Sequence, residues 1–291
     1  MITNMTIGKY GRLGNQIFQY AAAFSLAKKL NTELWIPSET ETCQHGRYNP
    51  TIGKVDIYNN DLFKLFNLKF GEKKPSDLIR SKIKTYHYEA PEIKYYPEFW
   101  ELSDGTCLHG YFQAKEYVDV FKVELQNELK LNDEYFDYAS NFLETLKKNY
   151  DKIISVHIRR GDLTMDNHAF NAGLSIDTYY KLILKENTNV DDMILIFSDD
   201  IDWCKSQFDA QNVIFVDNRN SNLSHLKDFS LMSVCDTNIM GVSTFSWWAA
   251  WINPLNKEKK IFMPDKWWGW SLQNNSEEVY RYENWIRYKN E

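Results

Sequence analysis

Lys152-Ile153-Ile154-Ser155-Val156-His157-Ile158-Arg159-Arg160-Gly161-Asp162 carries the strongest structural signal in the chain. Apolar, β-prone residues lead directly into two adjacent arginines, a glycine and an acid, which reads as a buried strand ending in a cationic cluster. Such a cluster is costly unless an anion or internal carboxylates meet its charges. Arginine's rigid fork suits phosphate and carboxylate geometry better than lysine's mobile point charge. The run therefore predicts a phosphate site at the carboxyl end of a strand, where open α/β sheets bind ligands. The competing reading is that Arg159 and Arg160 pair with acids on the same rim and only fasten a loop. The Arg160-Gly161-Asp162 match to a cell-adhesion signal is put down to chance, because it directly follows a predicted buried strand.

Outward from this run, the second half of the chain alternates short apolar runs with helical stretches. The predicted strands are Ile153 to Ile158, Met193 to Phe197, Val213 to Val216, Thr237 to Val242 and Lys260 to Met263. Helices are predicted over Ile176 to Asn187, Asp202 to Phe208 and Leu226 to Cys235. That alternation marks a doubly wound α/β domain. The first half opens with a strand candidate at Met5-Thr6-Ile7 and a glycine-bearing loop from Gly8 to Asn15. Ile17, Tyr20, Ala21, Phe24, Ala27 and Leu30 then recur at helical spacing, and Glu33 to Ile36 is the next strand. This βαβ opening predicts a second parallel sheet. The glycines lack the full dinucleotide-binding pattern, so a nicotinamide site is not inferred. Residues 39–98 read as a loop-and-helix elaboration, Leu108 to Phe112 as a further strand, and Ala114 to Tyr150 as mostly helical. A domain boundary is placed near residue 150, giving α/β domains over 1–150 and 151–291 with a cleft between them.

The chain has 291 residues, 43% hydrophobic and 15% aromatic, enough for one large domain or two ordinary ones with a substantial core. A formal net charge of −6 argues against a general nucleic-acid binder, so any phosphate site is a local basic pocket in an acidic protein. The four cysteines lie far apart with no CxxC pair, which fits reduced thiols in a cytoplasmic protein. The first residues resemble no signal peptide, and no uncharged run of about 18 residues could span a bilayer. Contact with the inner face of a membrane stays compatible with this.

Several predicted strand ends finish in polar residues that would share one rim with Arg159. Ser198-Asp199-Asp200 follows one, Asp217-Asn218 another, and Ser243-Thr244-Phe245-Ser246 precedes a Trp-rich helix. Hydroxyls and N–H groups at a helix amino end make an anion site, although Ser243 could equally be an ordinary cap. Asp199 and Asp200 could bond a base or ribose, or cap the next helix. Asp200-Ile201-Asp202 has the form of a metal-binding DxD, but no further ligand at sensible spacing supports it, and no metal is expected. The tryptophans are read as packing, with one or two available to stack on a sugar. His157 points at a ligand or is a satisfied core histidine. Asp162, Asp166 and His168 are the candidate general bases.

Taken together, Gly11 to Tyr20, Leu108 to Gln113, His157 to Asp162, Phe197 to Asp200 and Ser243 to Trp248 resemble the α-1,2-fucosyltransferases of glycosyltransferase family eleven. The segments run in family order and cover most of the chain. The resemblance implies two Rossmann-like domains facing across a cleft (GT-B type), GDP-L-fucose bound mainly by the second half, and no metal requirement. It implies that Arg159 holds the β-phosphate and Arg160 braces the loop. Ser243, Thr244 and Phe245 would line the diphosphate, His157 and Asp199 would approach the guanosine, and Asn15 would reach toward the phosphate or acceptor. The implied reaction is inverting transfer of fucose to the 2-hydroxyl of a galactose-terminated oligosaccharide or lipid-linked glycan, with Asp162, Asp166, His168 or no residue as base. Where the family commonly has Asn before Ser-Thr-Phe-Ser, this chain has Gly241-Val242, which leaves open how that loop is held. The alternatives are the same fold with another nucleotide sugar, or a non-catalytic glycan- or nucleotide-binding protein.

Overall fold

The computed structural model describes residues 1–4, 7–8, 11–37, 45–49, 54–58, 60–69, 72–73, 84–85, 93–161, 172–209, 211–219, 221, 223–255, 257–272 and 274–290. They form two compact units, Met1–Lys130 with Asn274–Tyr280, and Leu131–Gln273 with Arg281–Glu291. The division falls at Lys130 rather than near residue 150, because the helix in between, Asp133–Leu146, packs on a helix of the second unit. The C-terminal segment Asn274–Tyr280 returns to the first unit.

The first unit holds strands β1 (Ile2–Asn4), β2 (Leu34–Pro37), β3 (His45–Asn49), β4 (Lys54–Tyr58), β5 (Glu72–Lys73), β6 (Lys84–Thr85) and β7 (Thr106–Leu108). Its helices are α1 (Leu13–Lys29), α2 (Leu62–Leu65), α3 (Lys115–Asp119) and α4 (Lys122–Glu128). Five strands make a parallel sheet in the order β5-β2-β1-β7-β6. The first strand is Ile2–Asn4; of the expected strand Met5 to Ile7, Met5 and Thr6 lie outside the described residues, and Ile7 belongs with Gly8 to a turn, Gly8 at φ 79°. Helix α1 buries every face from Ile17 to Ala27, so it is a core helix and not an amphipathic surface one. The stretch expected to be loop and helix contains an antiparallel hairpin, β3–β4, and two short strands of the sheet. The strand expected at Leu108 to Phe112 ends at Leu108, and Phe112 takes a left-handed φ of 52° that no strand tolerates.

The second unit is a six-stranded parallel sheet in the order β10-β9-β8-β11-β12-β13. Its strands are β8 (Lys152–Ile158), β9 (Asp192–Ser198), β10 (Val213–Phe215), β11 (Thr237–Ile239), β12 (Lys260–Pro264) and β13 (Ile286–Tyr288). Its helices are α5 (Asp133–Leu146), α6 (Leu182–Asn187), α7 (Ile201–Gln207), α8 (Ser224–Val234) and α9 (Thr244–Trp251), with a π-turn at Ile176–Lys181. Ile154, Val156, Ile194, Ile196 and Ile239 fill the sheet interior, fully buried or nearly so. Continuous apolar strands of this kind are what a parallel sheet covered on both faces requires. Helix α5 packs on α8, and α8 on α9.

Candidate functional site

β8 lies between two divergent halves of its sheet. Its ladder with β9 runs from Lys152↔Asp192 to Ile158↔Ser198, while its ladder with β11 stops at Val156↔Ile239. β9 and β10 extend to one side of β8, and β11, β12 and β13 to the other. The winding therefore reverses between β8 and β11, and at such a switch point the carboxyl ends of the strands leave a crevice suited to ligands. Arg159 follows β8 at this fork, and Gly241 to Ser246 follows β11.

Arg160 braces the loop. Its Nε donates to Asp200 Oδ2 at 3.0 Å, and its guanidinium carbon lies 3.5 Å from the centre of the Trp203 ring. Its backbone N–H donates to Asp199 Oδ1 at 2.8 Å. The Asp200 side chain also accepts from Trp203 N at 3.2 Å, capping α7. Gly161 backs directly onto Asp199 Oδ2, and a Cβ there would overlap that oxygen. Four residues on two strand ends thus hold the backbone that carries Arg159, which is half-buried at the rim.

On the other lip, Ser243 caps α9, its Oγ accepting from Phe245 N at 3.3 Å. Ser246 is buried and donates to Gly241 O and Ser243 O, which closes the loop on itself. Thr244 is the first residue of α9 and is half-buried, at the amino end where N–H groups and the helix dipole favour an anion. The Phe245 ring sits 5.7 Å from the His157 ring and 5.3 Å from Phe229. His157, Arg159, Ser243, Thr244 and Phe245 are therefore gathered around one fork.

Further along the rim, Arg219 hydrogen-bonds Asp217 and holds its carboxyl down at about 2. Asn218 accepts from Tyr138 and donates to Asp228 Oδ1 at 2.6 Å. Burial pushes the Asp228 carboxyl up to about 6. Asp202, the second acid of the DxD, is bonded by Arg219 and Lys205. Asp200 and Asp202 thus serve different cations, and the described residues contain no cluster of three metal-ligating side chains. A groove of about 720 Å³, with Val190, Asn212 and Val213 in its wall, opens near the amino ends of β9 and β10, away from this rim.

In the first unit, Gly11 holds φ 80°, and its would-be Cβ position is filled by the Asn15 side chain. Asn15 Oδ1 accepts from Gln113 Nε2 at 3.0 Å, and Gln113 Oε1 accepts from the Tyr280 hydroxyl at 2.6 Å. Tyr280 is fully buried and packs edge-on against Phe18 at 6.1 Å. Asn15 is thereby oriented through a chain that begins in the returning C-terminal segment.

Asp162, Asp166 and His168 lie outside the described residues. Sequence reasoning missed Trp203, Gln113 as a support, and Tyr280. Each acts through a long-range contact that no local pattern announces. Trp203 had one usable signal, its place three residues after an acid that could cap a helix.

The model of Glycosyl transferase family 11 matches residues 1–289. The chain is 29% identical to the O-antigen biosynthesis glycosyltransferase WbnK of Escherichia coli, over 95% of this chain and 97% of that one. It is 28% identical to an alpha-1,2-colitosyltransferase of Escherichia coli, over 83% and 85%. It is 25% identical to galactoside alpha-(1,2)-fucosyltransferase 2 of Oryctolagus cuniculus, over 85% and 66%. The fold resembles the crystal structure of NodZ alpha-1,6-fucosyltransferase soaked with GDP-fucose, at a TM-score of 0.51 and 15% identity, over 87% and 92%. Two parallel-sheet α/β units are the GT-B arrangement, and with a whole-length family match the chain is a glycosyltransferase belonging to glycosyltransferase family 11.

Proposed function

We propose that this protein transfers L-fucose from GDP-L-fucose, with inversion, to the 2-hydroxyl of a terminal galactose-type residue. The observation that carries the reading is the placement of Arg159 and the capped amino end of α9 on the two lips of one strand fork. Breaking the sugar C1–O bond leaves positive charge on the ring and negative charge on the departing GDP. A fixed guanidinium and N–H groups aimed at the diphosphate stabilise that charge, by about 3 kcal/mol for each well-placed donor. Arg159 is the phosphate ligand of the pair, placed at the end of β8 on the lip of the fork, while Arg160 braces the loop against Asp199, Asp200 and Trp203. Thr244 and the N–H groups of the Ser243–Phe245 loop complete the cradle, and His157 and Asp199 flank the nucleoside. The second unit takes the donor. In the first unit, the glycine loop presents Asn15 to the acceptor side.

The base is Asp162, Asp166, His168 or no residue, and these three lie outside the described residues. The engagement of Asp200 and Asp202 by protein cations supports a reaction in which guanidinium, and not a divalent ion, faces the diphosphate. The acceptor is a galactose-terminated oligosaccharide or a lipid-linked glycan at the cytoplasmic face of a membrane. No helix among the described residues is long and apolar enough to cross one.

The relative named for colitose transfer favours one competing reading, another nucleotide sugar on the same fold. Incubation with a panel of nucleotide sugars and a lactose-type acceptor, in EDTA, distinguishes the readings. A fucosylated product whose NMR spectrum shows an α-1,2 linkage is expected. Turnover with a different donor installs the competitor. Tight GDP binding without transfer to any acceptor would leave a binding protein.

A further inference from the structure

Gly241, the first of the pair before Ser-Thr-Phe-Ser, lies close to one of two tyrosines outside every motif. Tyr179 and Tyr180 are consecutive and fully buried, on the π-turn Ile176–Lys181. Both Tyr179 N and Tyr180 N donate to Ser175 O, at 3.2 and 3.4 Å, and the wider turn brings two successive side chains inward. The rings pack edge to face, 4.9 Å apart at 88°, which sends their hydroxyls to different strands. Tyr179 donates to Met240 O at 2.8 Å, and Tyr180 donates to His157 O at 3.1 Å.

Met240 and His157 are the first residues beyond the last β8–β11 ladder pair, Val156↔Ile239. Their carbonyls stand where the strands part, at the point where sheet hydrogen bonding between β8 and β11 ends. A buried carbonyl left without a donor is destabilising, so each hydroxyl fixes one lip of the fork. Gly241 fits the same device. A Cβ at this position would lie 2.8 Å from His157 O, 3.2 Å from the Tyr180 hydroxyl and 3.3 Å from His157 Nδ1. Its φ is not in the left-handed region, so the requirement is for space and not for an unusual backbone. Any side chain in the same backbone position would press on the His157 carbonyl across the fork.

We propose that Tyr179 and Tyr180 are positioning residues that, together with Gly241, set the separation between Arg159 and the Ser243–Phe245 loop to fit a nucleoside diphosphate. The inference rests on the donor reading of this fork. Burial pushes both phenols well above their ordinary range, so the hydroxyls remain donors throughout the working range of pH. Neither tyrosine touches the diphosphate; they act through the backbone of the residues that do.

The test is calorimetric titration of GDP into the full chain carrying Tyr180→Phe, Tyr179→Phe, both together, or Gly241→Ala. Thermal melting is measured in parallel. Phenylalanine keeps the ring packing, so the single variants should melt cooperatively, while the Kd for GDP rises about tenfold for each lost hydroxyl. Gly241→Ala should also weaken GDP binding. Its loss should be smaller in the Tyr180→Phe background, because one of the atoms crowding the new methyl is gone. If the double phenylalanine variant fails to fold, the singles and Gly241→Ala carry the same comparison. Wild type that binds GDP, with folded variants binding equally well and only melting lower, overturns the tie and leaves the donor reading standing. Wild type that binds no GDP overturns the donor reading, and the tie with it.

Discussion

Arg159 and Asn15 are held in opposite ways. The segment carrying Arg159 is fixed through its backbone, by Asp199 on the Arg160 N–H and by the stacked Arg160–Trp203 pair beside it. Asn15 is fixed through its side chain, by Gln113 and, behind it, Tyr280. A backbone-held loop shares its load among several contacts, so losing one support shifts the functional group only partly. A side-chain chain passes its load from link to link, and each hydrogen bond in it can be cut alone. The comparison predicts a steep loss when Arg159 itself is removed and graded losses around it. For Asn15 it predicts losses that follow the order of the links.

Arg159→Ala is expected to have the largest effect. Removing one fixed donor to developing charge lowers kcat by roughly 100- to 1000-fold. Melting should barely move, because the half-buried side chain at the rim is not part of the core. Initial rates with saturating donor and acceptor check it. Activity within a few-fold of wild type would remove Arg159 from the phosphate site.

The next effect is on stability and separates the two units by pH. Asp228, bonded to Asn218 on the rim of the second unit, has its carboxyl raised by burial to about 6, against an unfolded value near 3.9. The neutral form is therefore favoured by folding. Its stabilisation is complete below about pH 4 and is lost as pH rises through about 6. Asp228→Asn stays neutral and can still accept from Asn218. It should match wild type at pH 4 and exceed it by roughly 2 kcal/mol at pH 8. Tyr280, the end of the chain in the first unit, has its phenol raised far above neutrality by burial and adds no slope in this window. Denaturant melts at the two pH values decide it; an equal gap at both would show that folding does not raise the Asp228 carboxyl.

Trp203→Leu tests the load-sharing directly. It removes the ring over which Arg160 lies while Asp200 and Asp199 keep their hydrogen bonds. A cation–π contact of this kind is worth about 1 kcal/mol, so kcat/KM should fall about five- to tenfold. A fall as deep as that of Arg159→Ala would mean that Trp203 and not the backbone contacts sets the loop.

The legible parts of this molecule were those whose signal is local. The second-unit strands show as apolar runs, and the fork residues show because charge and hydroxyls follow those runs. Strand β13 escaped because Ile286 is flanked by Trp285 and Arg287 on an exposed edge, where no apolar run is needed. The π-turn escaped for a different reason. Ile176, Tyr179, Tyr180, Ile183 and Leu184 recur at ordinary helical spacing, and a wide turn leaves that period almost unchanged. Strand β1 escaped because Ile2-Thr3-Asn4 is no more apolar than Met5-Thr6-Ile7, of which only Ile7, drawn into a turn with Gly8 at φ 79°, is among the described residues. Gln113 and Tyr280 are 167 residues apart, and nothing in either neighbourhood points to the other.

The smallest expected effect is the sharpest test of the side-chain chain. Tyr280→Phe removes one hydroxyl and keeps the packing against Phe18. Gln113 Oε1 then loses its donor, and its amide is held only by the bond to Asn15. A single neutral hydrogen bond is worth about 1 kcal/mol, of which only part reaches Asn15, so kcat/KM should fall about threefold. Gln113→Ala cuts the link next to Asn15 and should cost more, about fivefold. In Gln113→Ala, adding Tyr280→Phe should change nothing further, because the hydroxyl no longer has a path to Asn15. Steady-state kinetics on the two single variants and the double settle the order. Additive losses would show that Tyr280 acts on the core of the first unit and not through Gln113, and Asn15 would then be held as Arg159 is, by a surface of shared contacts.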